Sequence, residues 1–551
     1  NTALGNSSLA ANTTASNNTA VGFSALGANT TASANTALGY GALFTNETGA
    51  NNVAIGTCAL YKNTTQRNTA IGMSAAICNT TGQQNVAIGY FTLDENTTGG
   101  CNVAIAGGLG RNTTGSANIA IGSGSLSNNT TCSDNIAIGR SAAQETSSAH
   151  GITAIGALAL CTNTSGDNNT AVGFCALKAN TTAANNTAVG LSALETATTA
   201  DSNTAIGFEA LKDNTTGTEN VAVGQLALTN NTTGDENTAV GRYSLGTNTT
   251  GEKNTALGHS TVENNTTGDF NVGIGHGALQ ANTTADNNTA VGYQSLDANT
   301  DGHSNTAVGK GSLGANTTGD QNTAVGYNAG TANTTGAENV AVGYGALQTN
   351  TTATKNVAVG LQALNSTTTG YQNLAVGRRA GLSNTTGNNN VLVGHCAGHN
   401  ITEGGQNINI GGNTTVASAT ASYSLVIGYN IVGKGANTGY IAPDGTSSSG
   451  IYQGNNSSSW STTSDKRIKK NIVDNTTGLD KINQIQIRNF EYRKEDEITE
   501  LPKHSAIEKS GIQIGVIAQE IETILPDVVT EESTGVKSVD PSNLTWYLIN
   551  A

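Results

Sequence analysis

The chain has 551 residues, of which 36% are hydrophobic, 11% charged and 4% aromatic, with 69 Gly and only 4 Pro. A formal net charge of −14 favours solubility and argues against a surface built to hold nucleic acid. No apolar run approaches the ~18 residues that a membrane-spanning helix needs, so no membrane span is expected.

The chain opens at Asn1 already in phase with a repeat, without Met or signal peptide, and is expected to be part of a longer protein with a further N-terminal region. Residues 169–185, NTAVGFCALKANTTAAN, show the 17-residue unit cleanly. It starts 25 times between Asn1 and Asn407, with Ile152 once in the place of Asn. A short fixed period implies a stacked array in place of several globular cores.

Numbered from its Asn, the unit has Ala at position 3, a Val, Ile or Leu at position 4 and Gly at position 5. Gly273, Asn409 and Ala106 are among the departures. Positions 8–9 usually read Ala-Leu and positions 12–14 Asn-Thr-Thr. Positions 2–4 therefore predict a short strand, with residues 2 and 4 on one face and the Ala on the other. Gly at 5 permits a turn. Positions 7–9 predict a second strand, and Asn-Thr-Thr-Gly a return corner. Frequent Gly and Asn, and apolar spacing off the 3.6 period, argue against helix.

One unit buries too little to offset its ordering entropy. Stacking supplies the rest, with residues in columns and Asn ladders at the corners. At ~4.8 Å per coil the array would be about 120 Å long; a unit running lengthwise along an intertwined fibre would make it several times longer. The small Ala face predicts close contact with other copies of the chain, hence an oligomeric rod. Phrases such as Asn52-Val53-Ala54-Ile55-Gly56 and Asn85-Val86-Ala87-Ile88-Gly89 resemble the head repeats of trimeric autotransporter adhesins, whose unit is shorter. That resemblance implies a parallel β-roll and a homotrimer.

The seven cysteines, Cys58, Cys78, Cys101, Cys132, Cys161, Cys175 and Cys396, are odd in number and scattered over the unit. They read as free thiols of a chain made in a reducing cytoplasm, not a disulfide framework.

Residues 1–411 are thus read as the array and 412–463 as a joint, part strand and part Gly/Ser/Asn-rich loop. At Ser464 the composition turns charged. Residues 464–551 read as a small α+β domain. Leu479–Ile487 is expected as a strand running on to Phe490-Glu491-Tyr492, and Arg493–His504 as a polar loop. Ile512–Ile517 is a further strand, Ala518–Leu525 a short helix stopped by Pro526, and Asn543–Ala551 the incomplete start of another helix.

Four motifs stand in order here. They are Ser464-Asp465-Lys466-Arg467-Ile468-Lys469-Lys470-Asn471-Ile472, Gly515-Val516-Ile517-Ala518-Gln519-Glu520, Leu525-Pro526-Asp527-Val528-Val529 and Lys537-Ser538-Val539-Asp540. Together they resemble the endosialidase-type intramolecular chaperone, the self-cleaving C-terminal domain of many phage tail fibres and tail spikes. Pro541-Ser542 departs from the family's usual pair. The resemblance implies cleavage of the Thr463–Ser464 bond, with Ser464 and Lys469 as its catalytic pair. The chemistry of the residues agrees. A Ser hydroxyl needs a base to become a nucleophile, and a Lys can be that base only where desolvation leaves it neutral.

Other candidates are weaker. His259 and His276 lie one period apart and would stack as a possible metal site, and His395-Cys396-x-x-His399 has loosely ligand-like spacing. The Asn-Thr-Thr triplets match a glycosylation sequon, and Thr columns would suit an ice-binding face. No cofactor and no metal is expected, and no phosphate-cradling loop is found.

The reading is a mainly β, 17-residue-repeat β-solenoid rod, trimeric, followed by a small α+β chaperone domain. It predicts a structural and host-recognition tail fibre of a bacteriophage, made in the host cytoplasm and extracellular in the mature virion. Its partners would be two further copies of itself, other tail or baseplate proteins, and a glycan or protein receptor on the host. The only enzymatic activity expected is one self-cleavage. The alternatives are a bacterial trimeric surface adhesin, or a tail spike with an upstream glycan-degrading domain.

Overall fold

The computed structural model describes residues 1–443, 450–454, 471–476, 478–501, 509–531 and 535–550. The chain divides into two units, Asn1–Thr462 and Thr463–Ala551.

The first unit is a β-solenoid. Each repeat contributes one three-residue strand, from β1 (Thr2–Leu4) to β25 (Ile408–Ile410). Consecutive strands pair in parallel, so that Thr187, Ala188 and Val189 stand opposite Thr204, Ala205 and Ile206. The chain therefore coils and stacks on itself.

Which strand face looks inward differs from expectation. The position-3 alanines, such as Ala188, Ala205 and Ala222, are fully buried within the chain's own coil. They face the equally buried position-9 leucines, including Leu194, Leu211 and Leu228. At Gly273, which stands in the Ala column, an added Cβ would lie 2.5 Å from Val262 Cγ2 in column 9. The interior is thus only one Ala plus one Leu wide. The Ala face is an internal seam and not a surface for other copies, while positions 2 and 4 look outward.

The second expected strand is not formed. Positions 6–11 are a run of turns. Residues at positions 7 and 9, such as Ser192 (φ 54°) and Leu194 (φ 52°), take left-handed backbone angles. This costs each L-residue roughly 1–2 kcal/mol, but it aims the amides of positions 7 and 9 at opposite neighbours. Ser192 N–H donates to Phe174 of the coil before, and Leu194 N–H to Ala210 of the coil after. The buried backbone is thereby paired without a strand.

Two buried asparagine columns close the coil. Asn231 Nδ2 donates to Asn214 Oδ1 (2.8 Å) and to the Gly234 carbonyl (2.9 Å). Asn220 Nδ2 reaches that same carbonyl at 2.8 Å, and its backbone N–H donates to Asn203 Oδ1. The position-5 glycines pack backbone to backbone. A Cβ on Gly224 (φ +134°) would meet the Gly241 carbonyl carbon at 2.7 Å.

Towards its C-terminal end the Ala column fills up, as Leu392, Asn409, Val426 and Tyr440 succeed one another in register. Leu392 fits because the Leu column opposite gives way. A Cβ on Gly398 or Gly381 would lie 2.5 or 2.7 Å from its methyls. β26 (Leu425–Gly428) stacks on β25, β27 (Gly439–Ala442) on β26, and β28 (Ile451–Gln453) pairs antiparallel with β27.

The second unit is α+β. α1 (Leu479–Ile482) precedes β29 (Arg488–Phe490), which pairs antiparallel with β30 (Gln513–Gly515). α2 (Ala518–Ile524) runs into a 3-10 turn at Pro526–Val528; β31 (Val529–Glu531) and β32 (Lys537–Val539) form a hairpin, and α3 (Pro541–Asn550) ends the chain. Leu479–Ile482 is a helical turn and not the expected strand. Ile482 and Ile485, three residues apart, both pack on the core of Ile521, Leu525 and Val528, a spacing that suits a helical turn.

The inward and outward faces can be told apart by substitution. Ala222→Leu should overpack the coil and cost about 1–3 kcal/mol, whereas Val223→Ile, already the residue at the paired Ile206, should be silent in thermal melting. Leu392→Ala should cost about 2–5 kcal/mol, and adding Gly398→Leu should recover part of that loss, giving a non-additive pair.

Candidate functional site

Thr463, Ser464 and Lys469, the expected cleavage and catalytic residues, lie outside the described residues. The other three C-terminal motifs are described, and the fold brings them onto one core. Val516, Ile521, Leu525, Val528, Val529 and Val539 supply most of that core, with Leu544 and Tyr547 of α3. Asp540 N–H donates to the Val528 carbonyl (2.8 Å), tying the fourth motif to the third.

The polar residues of these motifs are also paired. Glu520 receives both arms of the Arg488 guanidinium, at 3.0 and 3.1 Å. Asp527 accepts a hydrogen bond from the Tyr547 hydroxyl. Lys537 Nζ lies 2.5 Å from Glu522 and 3.8 Å from Glu531. The hydrogen bonds to Glu520 and Glu522 raise the pKa of Arg488 and Lys537, and the Asp527 carboxylate raises that of Tyr547. The Arg488–Glu520 pair is solvent-exposed, where ion pairing orients more than it stabilises. The Lys537–Glu522 pair joins the hairpin to α2, and the Tyr547–Asp527 bond joins α3 to the 3-10 turn.

Residues 464–530 match the family model of the chaperone of endosialidase. The match begins at Ser464 and takes in Lys469, the second motif and the third. The C-terminal region is thus similar to the chaperone of endosialidase, and the chain as a whole is a β-solenoid followed by that region. No curated protein and no solved structure matches the chain.

The solenoid's candidates resolve differently. His259 and His276 do stack, with ring centroids 5.1 Å apart, but Arg242 sits 3.4 Å from His259 Nε2 on one side and Tyr293 stacks on His276 on the other. A guanidinium beside the imidazole opposes a bound cation. His399 Nδ1 lies 2.9 Å from the Cys396 carbonyl, and His395 Nε2 lies 3.1 Å from Arg378. Among the described residues no group of three or more His, Cys, Asp or Glu is placed to hold a metal. Sequon asparagines such as Asn231 and Asn248 are fully buried with their amides donating, which leaves no room for a glycan. Hydroxyls of the position-13 Thr column are engaged as well, Thr232 donating to the next coil's Thr249 carbonyl at 2.9 Å. Among the described residues no helix is long and apolar enough to cross a membrane.

Sequence reasoning missed one surface feature. The coil starting at Asn305 has Gly311 and Gly314 at positions 7 and 10. Their missing side chains leave a shallow hollow of about 450 Å³, walled by Gln294 and Asp297 on one side and Asn328 and Thr331 on the other. The Lys310 ammonium lies 5.5 and 5.8 Å from the Tyr293 and Tyr327 rings beside it. Burial pushes the Asp297 carboxyl above the usual carboxylate range, and does the same to Asp94, which occupies the equivalent position ten coils or more away. The signal was available as two glycines in the outward columns of one coil.

A carboxyl whose pKa is raised by burial binds its proton more tightly in the folded state. Its charged form therefore costs stability above the raised pKa, and that cost disappears as pH falls below the ordinary carboxylate value. Asp94→Asn with Asp297→Asn should raise the melting temperature at pH 7, and the gain should vanish on titration towards pH 3.

Proposed function

We propose that this chain is part of a homotrimeric bacteriophage tail fibre with structural and host-recognition roles, matured by self-cleavage between Thr463 and Ser464. The observation that carries the reading is the chaperone of endosialidase match at residues 464–530, placed after a long stacked β-array. The ordered packing of its later motifs on one core supports it.

A stack of nearly identical coils has many equivalent registers, and each slipped register is a trap for copies that must pair. A terminal domain that assembles first would align the copies and start the zipper. Cutting that domain away afterwards turns assembly into a kinetically irreversible step.

The cleavage chemistry needs only the chain itself. Lys469, neutral once assembly buries it, takes the proton from Ser464 Oγ, which attacks the Thr463 carbonyl carbon. The C–N bond breaks and the proton passes to the departing amine of Ser464, leaving an ester on Oγ. Water then hydrolyses the ester, regenerating the hydroxyl and freeing the Thr463 carboxylate. On this reading the mature fibre reaches the cell surface with the virion, and its receptor is a glycan or protein of the host.

The test is direct. The unaltered protein should run as two polypeptides, residues 1–463 and 464–551, with a native mass of three chains. Ser464→Ala should stay uncut, and Lys469→Ala should slow cutting by about 10²–10⁴-fold. Two fragments from the Ser464→Ala protein would refute the mechanism, and a monomeric native mass would refute the fibre reading.

A further inference from the structure

The geometry points to the outward strand face, positions 2 and 4 of every coil, as the surface along which copies of this chain pack against one another. This rests on the homotrimeric reading above and assigns the face that does the pairing.

The first support is composition. Position 4 is Val, Ile or Leu in every strand from β1 to β25, and position 2 is Thr, Val, Ile or Leu throughout. None of those strands contains a charged residue. The charges of the solenoid lie on its other walls, where neighbouring coils pair Lys178 with Glu195, Lys253 with Glu236 and Lys355 with Glu338. A wall that faced only water would have no reason to exclude charge along its whole length.

The second support is exposure. The aliphatic side chains of this face are not buried by their own coil; Ile206, Val240, Leu257, Ile274, Val325 and Val376 are each 36–40% exposed. In a strand flanked above and below by others, that is the whole outward side of the residue. A rim of position-6 residues runs beside them, with Phe23 stacked on Tyr40 and Tyr327 on Tyr344.

The third support is area. Three residues of strand span ~10 Å and coils repeat at ~4.8 Å, so 25 strands make a stripe of roughly 1,200 Å². Position 4 is aliphatic in all 25 strands and position 2 in 12 of them, the rest being Thr, so about three-quarters of the stripe is apolar, where soluble monomers rarely expose an apolar patch beyond about 300–600 Å². A stable interface buries about 800 Å² per partner. The stripe exceeds the first figure and satisfies the second. A second copy of the same chain offers the matching occupant, because its stripe has the same length and the same coil spacing.

The test starts from the full chain. Val223→Asp, Val240→Asp and Leu257→Asp together place three charges on the stripe, and Thr233→Asp, Thr250→Asp and Thr267→Asp place three on an exposed wall of the same coils. Light scattering of the released 1–463 product, freed of the terminal domain, should find three chains for the unaltered protein and the threonine variant, and one chain for the strand variant, with the β-rich circular dichroism retained. A strand variant that stays three-chained, with undiminished resistance to dilution, overturns this assignment and leaves the trimer intact. An unaltered protein that is monomeric overturns the trimer itself. Hydroxyl-radical labelling of the unaltered chain covers the case in which the strand variant misfolds. Leu257 and Leu374 on the stripe should label as slowly as the buried Leu245 and Leu364. Labelling as fast as the exposed Leu191 and Leu361 overturns the proposal.

Discussion

The structure depends on a buried amide bond that repeats once per coil. Each coil turns a corner at which carbonyls such as that of Gly234 point inward, where water cannot reach them. Asn220 and Asn231 both donate to that carbonyl, and each also bonds the Asn one coil before. An unpaired buried polar group would cost about 1–3 kcal/mol, so the ladder holds only if each Asn lies over the last. That requirement keeps the step near 17 residues, and the same constraint brings Ala over Ala and Gly over Gly. Where Ile152 replaces Asn, its backbone still donates to Asn135 Oδ1 at 3.1 Å, but the next coil loses its acceptor. The array tolerates one such gap because the coils on either side are locked independently.

A narrow coil follows from the same bond. Corners this tight bring the strand wall close to the turn wall, leaving room for Ala against Leu and nothing larger. The bulk of the strand's apolar side chain must then go outward. The solenoid is thus an inverted strand, with small residues inside and large ones outside. A chain built this way leaves an apolar wall to be covered by something else. Repetition also makes that wall nearly invariant under a shift of one coil. Self-pairing along it would be strong in area and weak in register, and on the proposed reading a distinct domain C-terminal in sequence to the array would be the physical remedy for that weakness.

Much of this was legible in the sequence. The period, the strand at positions 2–4, the glycine turn and the Asn columns all follow from residue spacing. The orientation of the strand did not, because alternation shows that two faces differ without showing which is inside. The habit of placing the larger apolar residue inward fails when the cavity is one Ala wide. The deciding clue was present in compensation: where Leu392 enters the Ala column, Gly381 and Gly398 leave the Leu column. Positions 7–9 misled for a different reason. Ala-Leu beside a polar residue mimics strand alternation, and the left-handed angles at Ser192 and Leu194 belong to residue types that rarely adopt them, so only the tertiary stack reveals them. In the second unit, the later motifs were legible as a set because their apolar residues share one core. Leu479–Ile482 was not, since four residues of mixed pattern suit strand and helical turn equally.

The end of the array shows how such a stack can stop. A repeating coil has no intrinsic end, because every coil presents open amides and carbonyls to the next. The Ala column swells through Leu392, Asn409 and Val426 to Tyr440, a ring 3% exposed that fills the coil interior. Asn409 is fully buried, and neither end of its side-chain amide finds a partner among the described residues. It therefore weakens the one coil where the interior changes character. β28 then pairs antiparallel with β27, covering the last edge with a strand whose direction breaks the parallel series. The stack ends because its core becomes too large for the 17-residue coil and its final edge is paired in the opposite sense. The same rule that limits the interior to Ala and Leu thus also defines where the array can no longer continue.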